Sequence, residues 1–308
     1  MTRSDHHSRL SLLTYPERPA FASCSDGGYF FAPLDHFRYD MGVAGAHVDD
    51  LTPDQRAKEA YIHDAEDQGK KAFFKEHMHI LISPAARISF VLKTDDNSNT
   101  KEKPLRDEDQ SSYYNETFLP DNFLSTLKPT FLIRHPALAV PSYYRAARKA
   151  DGDQYLLSDQ GQRMCRNVVT VRWSRQLYGF YAERLNAAET ERRTEIAWPL
   201  VSDADDIMTK PAVVTRFCEI LGLDTTRLRF QWDKDEQKQR PEILAYRSTI
   251  DGSTGIDARK AYGESIDLDE SARQWKEEFG EGPGGMIKKH VREAKADYEV
   301  LKEKRLRA

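Results

Sequence analysis

The stretch from Thr130 to Arg145 constrains the fold of this chain more than any other. Thr130-Phe131-Leu132-Ile133 is a short apolar run that reads as a buried strand, and it delivers Arg134 at its carboxyl end. Ser142 follows eight residues later, near the start of the helix expected next. In an open α/β sheet, ligands bind outside the carboxyl ends of the strands. An arginine there, beside a helix N-terminus, outlines a phosphate site: a bidentate cation, a hydroxyl and free backbone N–H groups. A structural reading stands beside it, in which Arg134 pairs with a carboxylate and Ser142 only caps its helix.

The rest of the chain alternates in the same manner. Leu10 to Tyr15 reads as a first strand stopped by Pro16, and Gly27-Gly28 as a turn. Thr52-Pro53-Asp54 starts a helix expected to reach Gln68. Ala72-Phe73-Phe74 is a short strand with Lys75-Glu76-His77 at its end, and Leu119 to Leu124 a short helix. A polar loop is expected over Asp151–Asp159, then one long helix through Val168, Val171, Trp173, Leu177, Phe180 and Tyr181. Ile196 to Val201 is strand-like and runs into Ser202-Asp203-Ala204-Asp205-Asp206. Those acids suit the start of a helix better than a paired-carboxylate site. A helix from Pro211 closes at Gly222. Segment 231–270 is polar and irregular, and the charged tail 271–308 is helical with a break at Gly282-Pro283-Gly284-Gly285. Residues 93–112 have almost no apolar content and read as a mobile surface loop. Alternating strands and helices favour a single α/β domain over 1–308 with a mainly parallel sheet.

Composition excludes several classes. The 46 basic and 50 acidic residues among 308 give a net charge of −4, without the basic excess of a general nucleic-acid binder. No run approaches the roughly 20 apolar residues that span a membrane. Met1 to Arg9 lacks the apolar core of a secretion signal, and the three scattered cysteines form neither a disulfide framework nor a metal cluster. A cytoplasmic location without metal is the expectation. His77 and His79 alternate as strand residues on one face do, but no third ligand is placed beside them.

Three segments, in order, resemble PAPS-dependent sulfotransferases, and among them the sulfotransferase-like P-loop proteins of filamentous fungi. Arg134 to Ser142 resembles the segment that grips the 3′-phosphate of the nucleotide. Lys75-Glu76-His77-Met78 with Pro84 resembles the segment whose histidine is the general base. Pro199 to Leu223 resembles a strand, acidic patch, proline and helix ending Leu-Gly-Leu. The resemblance implies a three-layer α/β sandwich of the P-loop type. It also implies sulfuryl transfer from PAPS, leaving PAP, to a hydroxyl of a small molecule, plausibly in secondary metabolism. Arg134 and Ser142 would bind nucleotide, His77 would activate the acceptor, and Lys75 would stabilise developing charge. Nothing implies a nucleic-acid or membrane partner, and the oligomeric state is not legible.

One departure matters. The family's first strand enters a phosphate-cradling loop and a helix. Here Leu12-Leu13-Thr14-Tyr15-Pro16 is followed by Glu17-Arg18-Pro19-Ala20. Next comes Ser25 to Phe31, which resembles the segment beyond that helix. By this reading the 5′-phosphosulfate loop is missing, no Gly-x-x-x-x-Gly-Lys-Ser/Thr run occurs, and Glu17 would repel phosphate. The late Arg-Lys-Gly clamp has only a weak echo at Gly284 to Lys289. The alternative is therefore a repurposed or inactive member, with a cofactor-free or accessory role, or a sequence from which an exon segment was dropped.

Overall fold

A computed structural model describes residues 21–23, 67, 71–73, 75–92, 114–189, 198–234, 245–246, 252–261 and 266–308. Two parallel strand pairs organise them. Strand β1 (Phe21–Ser23) pairs with β2 (Lys71–Phe73), and β3 (Thr130–Ile133) pairs with β4 (Leu200–Asp203). The chain is thus mixed α/β, with small parallel sheets. The expected first strand at Leu10–Tyr15, the turn at Gly27-Gly28, most of the 52–68 helix and the loop 93–112 lie outside the described residues. β1 falls at Phe21–Ser23, between the Ala20 and Ser25 that flank the proposed join.

Helix α1 (Met78–Leu81) follows β2 closely, and α2 (Pro84–Leu92) follows α1. Segment 114–120 returns antiparallel to α1 through an Ile82–Thr117 bridge and leads into α3 (Asp121–Leu124). β3 alternates, with Phe131 and Ile133 buried and Thr130 and Leu132 exposed, whereas all four residues of β4 are buried. Ile133 stands opposite Asp203, so the two strands end together.

Helix α4 (Pro136–Leu157) leaves β3 after His135, whose ring caps it by accepting the Ala137 N–H at 3.1 Å. Pro136 sits at the first helical position, where no N–H is needed. The polar loop expected over Asp151–Asp159 is instead the end of α4, kinked at Gly152 (φ 80°), and the start of α5 (Asp159–Val169). Only glycine takes that φ without strain, so the polar run stays helical on both sides of it. Ser158 caps α5 by accepting the Gly161 N–H at 3.1 Å. The long helix expected through Tyr181 is likewise two, because the chain leaves α5 at Thr170 and restarts in α6 (Arg172–Glu189). Trp173, Leu177, Phe180 and Tyr181 form its buried face, as their spacing predicts.

Asp203 caps α7 (Ala204–Thr209) through the Asp205 N–H at 2.9 Å, and α8 (Pro211–Ile220) begins on proline. At the end of α8, Gly222 and Leu223 donate to the carbonyls of Glu219 and Cys218. The tail folds as α9 (Leu268–Phe279) and α10 (Glu281–Glu303). Their break is at Gly280 (φ 90°), not at Gly282 to Gly285, because a first helical turn tolerates Pro283 without its N–H. One core joins Phe131, Ile133, Val201, Phe180, Tyr181, Tyr298 and Leu301, and a second packs α4, α5, α9 and α10 around Val140, Tyr144, Trp275 and Ile287.

Candidate functional site

Arg134 is the first residue after β3 and is half-buried. Its Nη2 reaches the Lys260 carbonyl at 3.4 Å, while its Nε is buried and has no hydrogen-bond partner among the described residues. The structural reading of Arg134 needed a carboxylate, and no ion pair of that kind is found among the described residues. A desolvated guanidinium N–H without an acceptor is costly unless something supplies the acceptor. Such a group at a parallel strand end fits an anion, a phosphate above all.

Ser142 is on α4, but not near its start. It lies two turns in and is exposed on the solvent side of a helix whose opposite face, Ala137, Val140, Pro141 and Tyr144, is buried. It therefore cannot be the cap that a position near the helix start suggested, since His135 holds that role. Its hydroxyl is accessible on the helix that Arg134 precedes.

The neighbouring strand end is different. The Asp203 carboxylate takes the Asp205 N–H on Oδ1 and the Tyr298 hydroxyl at 2.9 Å on Oδ2. Asp206 is held by Lys210 and Arg305, each at 2.8 Å. Burial pushes the Asp206 pKa up, but those two cations outweigh it and hold the carboxyl below the usual range. The acids 203–206 are thus helix cap and anchor, as their placement in sequence suggests. The C-terminal tail completes the cover, with the Leu306 N–H donating to the Val201 carbonyl at 2.7 Å.

His77 and Lys75 lie at the carboxyl end of β2. His77 precedes α1, and its carbonyl takes the Ile80 N–H at 2.9 Å. Its ring makes no capping bond to α1 and stacks on His79 with centroids 5.5 Å apart. Desolvation by nearby protein and then the Lys75 charge push its pKa down to about 4, although the residue as a whole is exposed. His79 is pushed lower, to about 3, by burial first and then by His77 and Arg87. Both rings are neutral near pH 7, so His77 can accept a proton. No group of three or more metal-ligating side chains occurs among the described residues. No helix among them is long and apolar enough to cross a membrane.

The four expected residues fall on two units of the chain: Arg134 and Ser142 at the end of β3 and on α4, and Lys75 and His77 between β2 and α1. The structure adds a segment that the sequence did not single out. The turn Ala258–Lys260 lies against Arg134, with Lys260 exposed and Arg259 paired to Asp257 at 2.8 Å. The adjacent cations Arg259-Lys260 were the available signal, inside a stretch read as irregular. Gly284 to Lys289, the weak echo of the late clamp, lie in the first turns of α10, where Gly284 packs on the backbone of Lys276.

Parallel strands, with an arginine following one pair and a histidine following the other, make this a mixed α/β chain. Two curated relatives carry the identification further. The chain is 37% identical over 320 aligned residues to Sulfotransferase ppzF of Metarhizium rileyi (strain RCEF 4871), covering 97% of this chain and 92% of that protein. To Sulfotransferase ppzF of Metarhizium majus (strain ARSEF 297) it is 38% identical over 322, covering 97% and 93%. No family model matches the chain, and no solved structure matches it. At this identity over nearly the whole length, the chain belongs to the sulfotransferase family.

Proposed function

We propose that the protein transfers a sulfuryl group from PAPS to a hydroxyl of a small molecule. The observation that carries this reading is the buried, unpartnered Nε of Arg134 at the end of β3. A 3′-phosphate there supplies the missing acceptor, with the Ser142 hydroxyl and the basic turn 258–260 contributing to its hold. His77 takes the acceptor proton as the acceptor oxygen attacks sulfur, and the bond from sulfur to the phosphate oxygen of PAP breaks with its electron pair leaving on PAP. A base with a pKa near 4 is weak, so proton transfer runs with S–O cleavage rather than before it. Lys75 lies beside the base and helps stabilise the negative charge that develops in the transition state.

The test is thermal stabilisation by PAP over a concentration series, because a ligand that binds only the folded chain raises the melting temperature once its concentration exceeds Kd. A saturable rise, abolished in Arg134→Ala, is the expected outcome. An equal rise in Arg134→Ala removes the assignment of that residue.

A second reading has its own observation. The alignments to the relatives run over 320 and 322 positions against a chain of 308, so those proteins carry residues that this chain lacks. A lost 5′-phosphosulfate loop is consistent with that, although residues 10–20 lie outside the described ones. In such a chain PAP still binds through Arg134, while added PAPS changes no activity on any acceptor. Sequencing the transcript across codons 15–25 tests the dropped-exon version directly.

A further inference from the structure

We infer that the ion pair between Arg172 and Glu116 is a positioning device for His77, acting through the antiparallel contact of residues 116–118 with residues 81–83. The inference rests on the reading of His77 as the base. Arg172, in the first turn of α6, places Nη2 2.5 Å from Glu116 Oε1. The Glu116 carbonyl in turn accepts the Ser83 N–H at 2.9 Å, and the Phe118 N–H donates to the Leu81 carbonyl at 3.0 Å. These two bonds flank the Ile82–Thr117 bridge and grip the end of the helix that His77 begins.

Each neighbouring part of this path is stiff. Asn115 and Thr117 are buried, and the Asn115 amide binds Asp121 at 2.7 Å and the Leu119 carbonyl at 2.8 Å. The Thr117 N–H and hydroxyl both reach the Asn115 side-chain oxygen, at 3.0 and 2.7 Å. Trp173, next to Arg172, packs with Ile82, Ala86 and Met78, the residue after His77, and its indole N–H is fixed on the Asn167 carbonyl at 3.0 Å. The Arg172 guanidinium lies over the Phe90 and Trp173 rings, at 5.9 and 5.6 Å. Arg172 and Trp173 therefore act on the same short helix, one through the 114–118 segment and one by packing.

Energy alone does not explain the pair. Its side chains are 37% and 20% exposed, and a partly exposed ion pair adds little stability. What it changes is where the 114–118 segment sits, and so how the end of α1, the short helix that His77 begins, is held. Among the described residues, the charged groups acting on that ring include Lys75, His79 and, beyond His79, Arg87, none of which the substitutions below alter.

The experiment is histidine ring NMR on the ¹⁵N-labelled full chain, with the His77 signal assigned by its loss in His77→Gln. Between about pH 5.5 and 8 the wild-type His77 signal stays flat, because its ring is already neutral there. In Glu116→Gln and in Arg172→Leu the loosened ring titrates within that window. Arg172→Lys, which keeps a cation within reach of the carboxylate, restores most of the flat response. PAP-induced stabilisation stays within about two-fold of wild type in all three, because Arg134 lies on another strand. A flat His77 signal in both breaking variants, or a wild-type signal that already titrates like a free histidine, overturns the inference. Loss of PAP stabilisation only in the variants also overturns it, by showing a global effect. Lack of PAP stabilisation in the wild-type chain counts against the sulfotransferase reading, while the His77 signal still decides the inference.

Discussion

At the carboxyl end of β3, Arg134 keeps a buried Nε with no partner among the described residues, whereas at the end of β4, directly across the register, Asp203 and Asp206 have their oxygens taken up by Tyr298, Asp205, Lys210 and Arg305. Both strand ends carry charge, and a sequence reader sees a candidate site in each. The difference lies in where the partners come from. The acids are met by a helix N-terminus and by the C-terminal helix, elements that the fold needs in any case. The arginine meets one distant carbonyl at 3.4 Å and is left able to bind something else. A charged group satisfied by the fold serves stability, and the proposed function assigns the one at the end of β3 to ligand.

The largest expected effect falls on the satisfied side. Asp203→Ala removes the cap of α7 and leaves the buried Tyr298 hydroxyl without its acceptor, which should cost about 3 kcal/mol of stability. Urea unfolding measures it, and a cost under about 1 kcal/mol would break the contrast. Next comes Arg134→Ala, with PAP affinity falling about 100-fold, or ~2.7 kcal/mol, by titration calorimetry. Its unliganded stability should be unchanged or slightly raised, since an orphaned buried N–H disappears. A loss of stability like that of Asp203→Ala would make Arg134 a structural residue after all.

A third effect concerns acid. His290 is buried against Tyr144, and burial, then Arg166 and Lys289, pushes its pKa down to about 4. The unfolded chain regains the ordinary value of 6.5, so between about pH 6.5 and 4 the unfolded state binds the extra proton and stability falls as pH falls. The slope should be ~1.4 kcal/mol per pH unit for this group once the unfolded histidine is protonated. His290→Gln should be less stable near pH 7 but shallower by about that amount. His79, depressed in the same direction, leaves a residual slope of its own. The smallest effect is Ser142→Ala, about three-fold weaker PAP binding, or ~0.7 kcal/mol, with no change in unfolding because the side chain is exposed.

Several elements could be read from the chain before folding. The apolar run 130–133, the acid start at 203–206, Pro211 and Gly222, and the stripe Trp173, Leu177, Phe180 and Tyr181 all occur as their local chemistry predicts. Where reading failed, it failed at continuity. Polar residues 151–159 looked like a loop, but one left-handed glycine was enough to bend a helix, and Thr170 interrupts an apolar stripe that ran on without a visible stop. Ser142 was placed too near its helix start, because the capping histidine seven residues before it is a less familiar cap than serine.

Strand ends, caps and buried faces followed from the amino-acid order, because each depends on neighbours within a few residues and on hydrophobic period. Which charges stay available did not. Tyr298 meets Asp203 from 95 residues away, Arg305 meets Asp206 from 99, and Lys260 meets Arg134 from 126. Nothing in local spacing specifies such pairings. They come from how the helices close over the parallel strands, and that closure left the Arg134 Nε without a partner among the described residues while it satisfied the acids beside it.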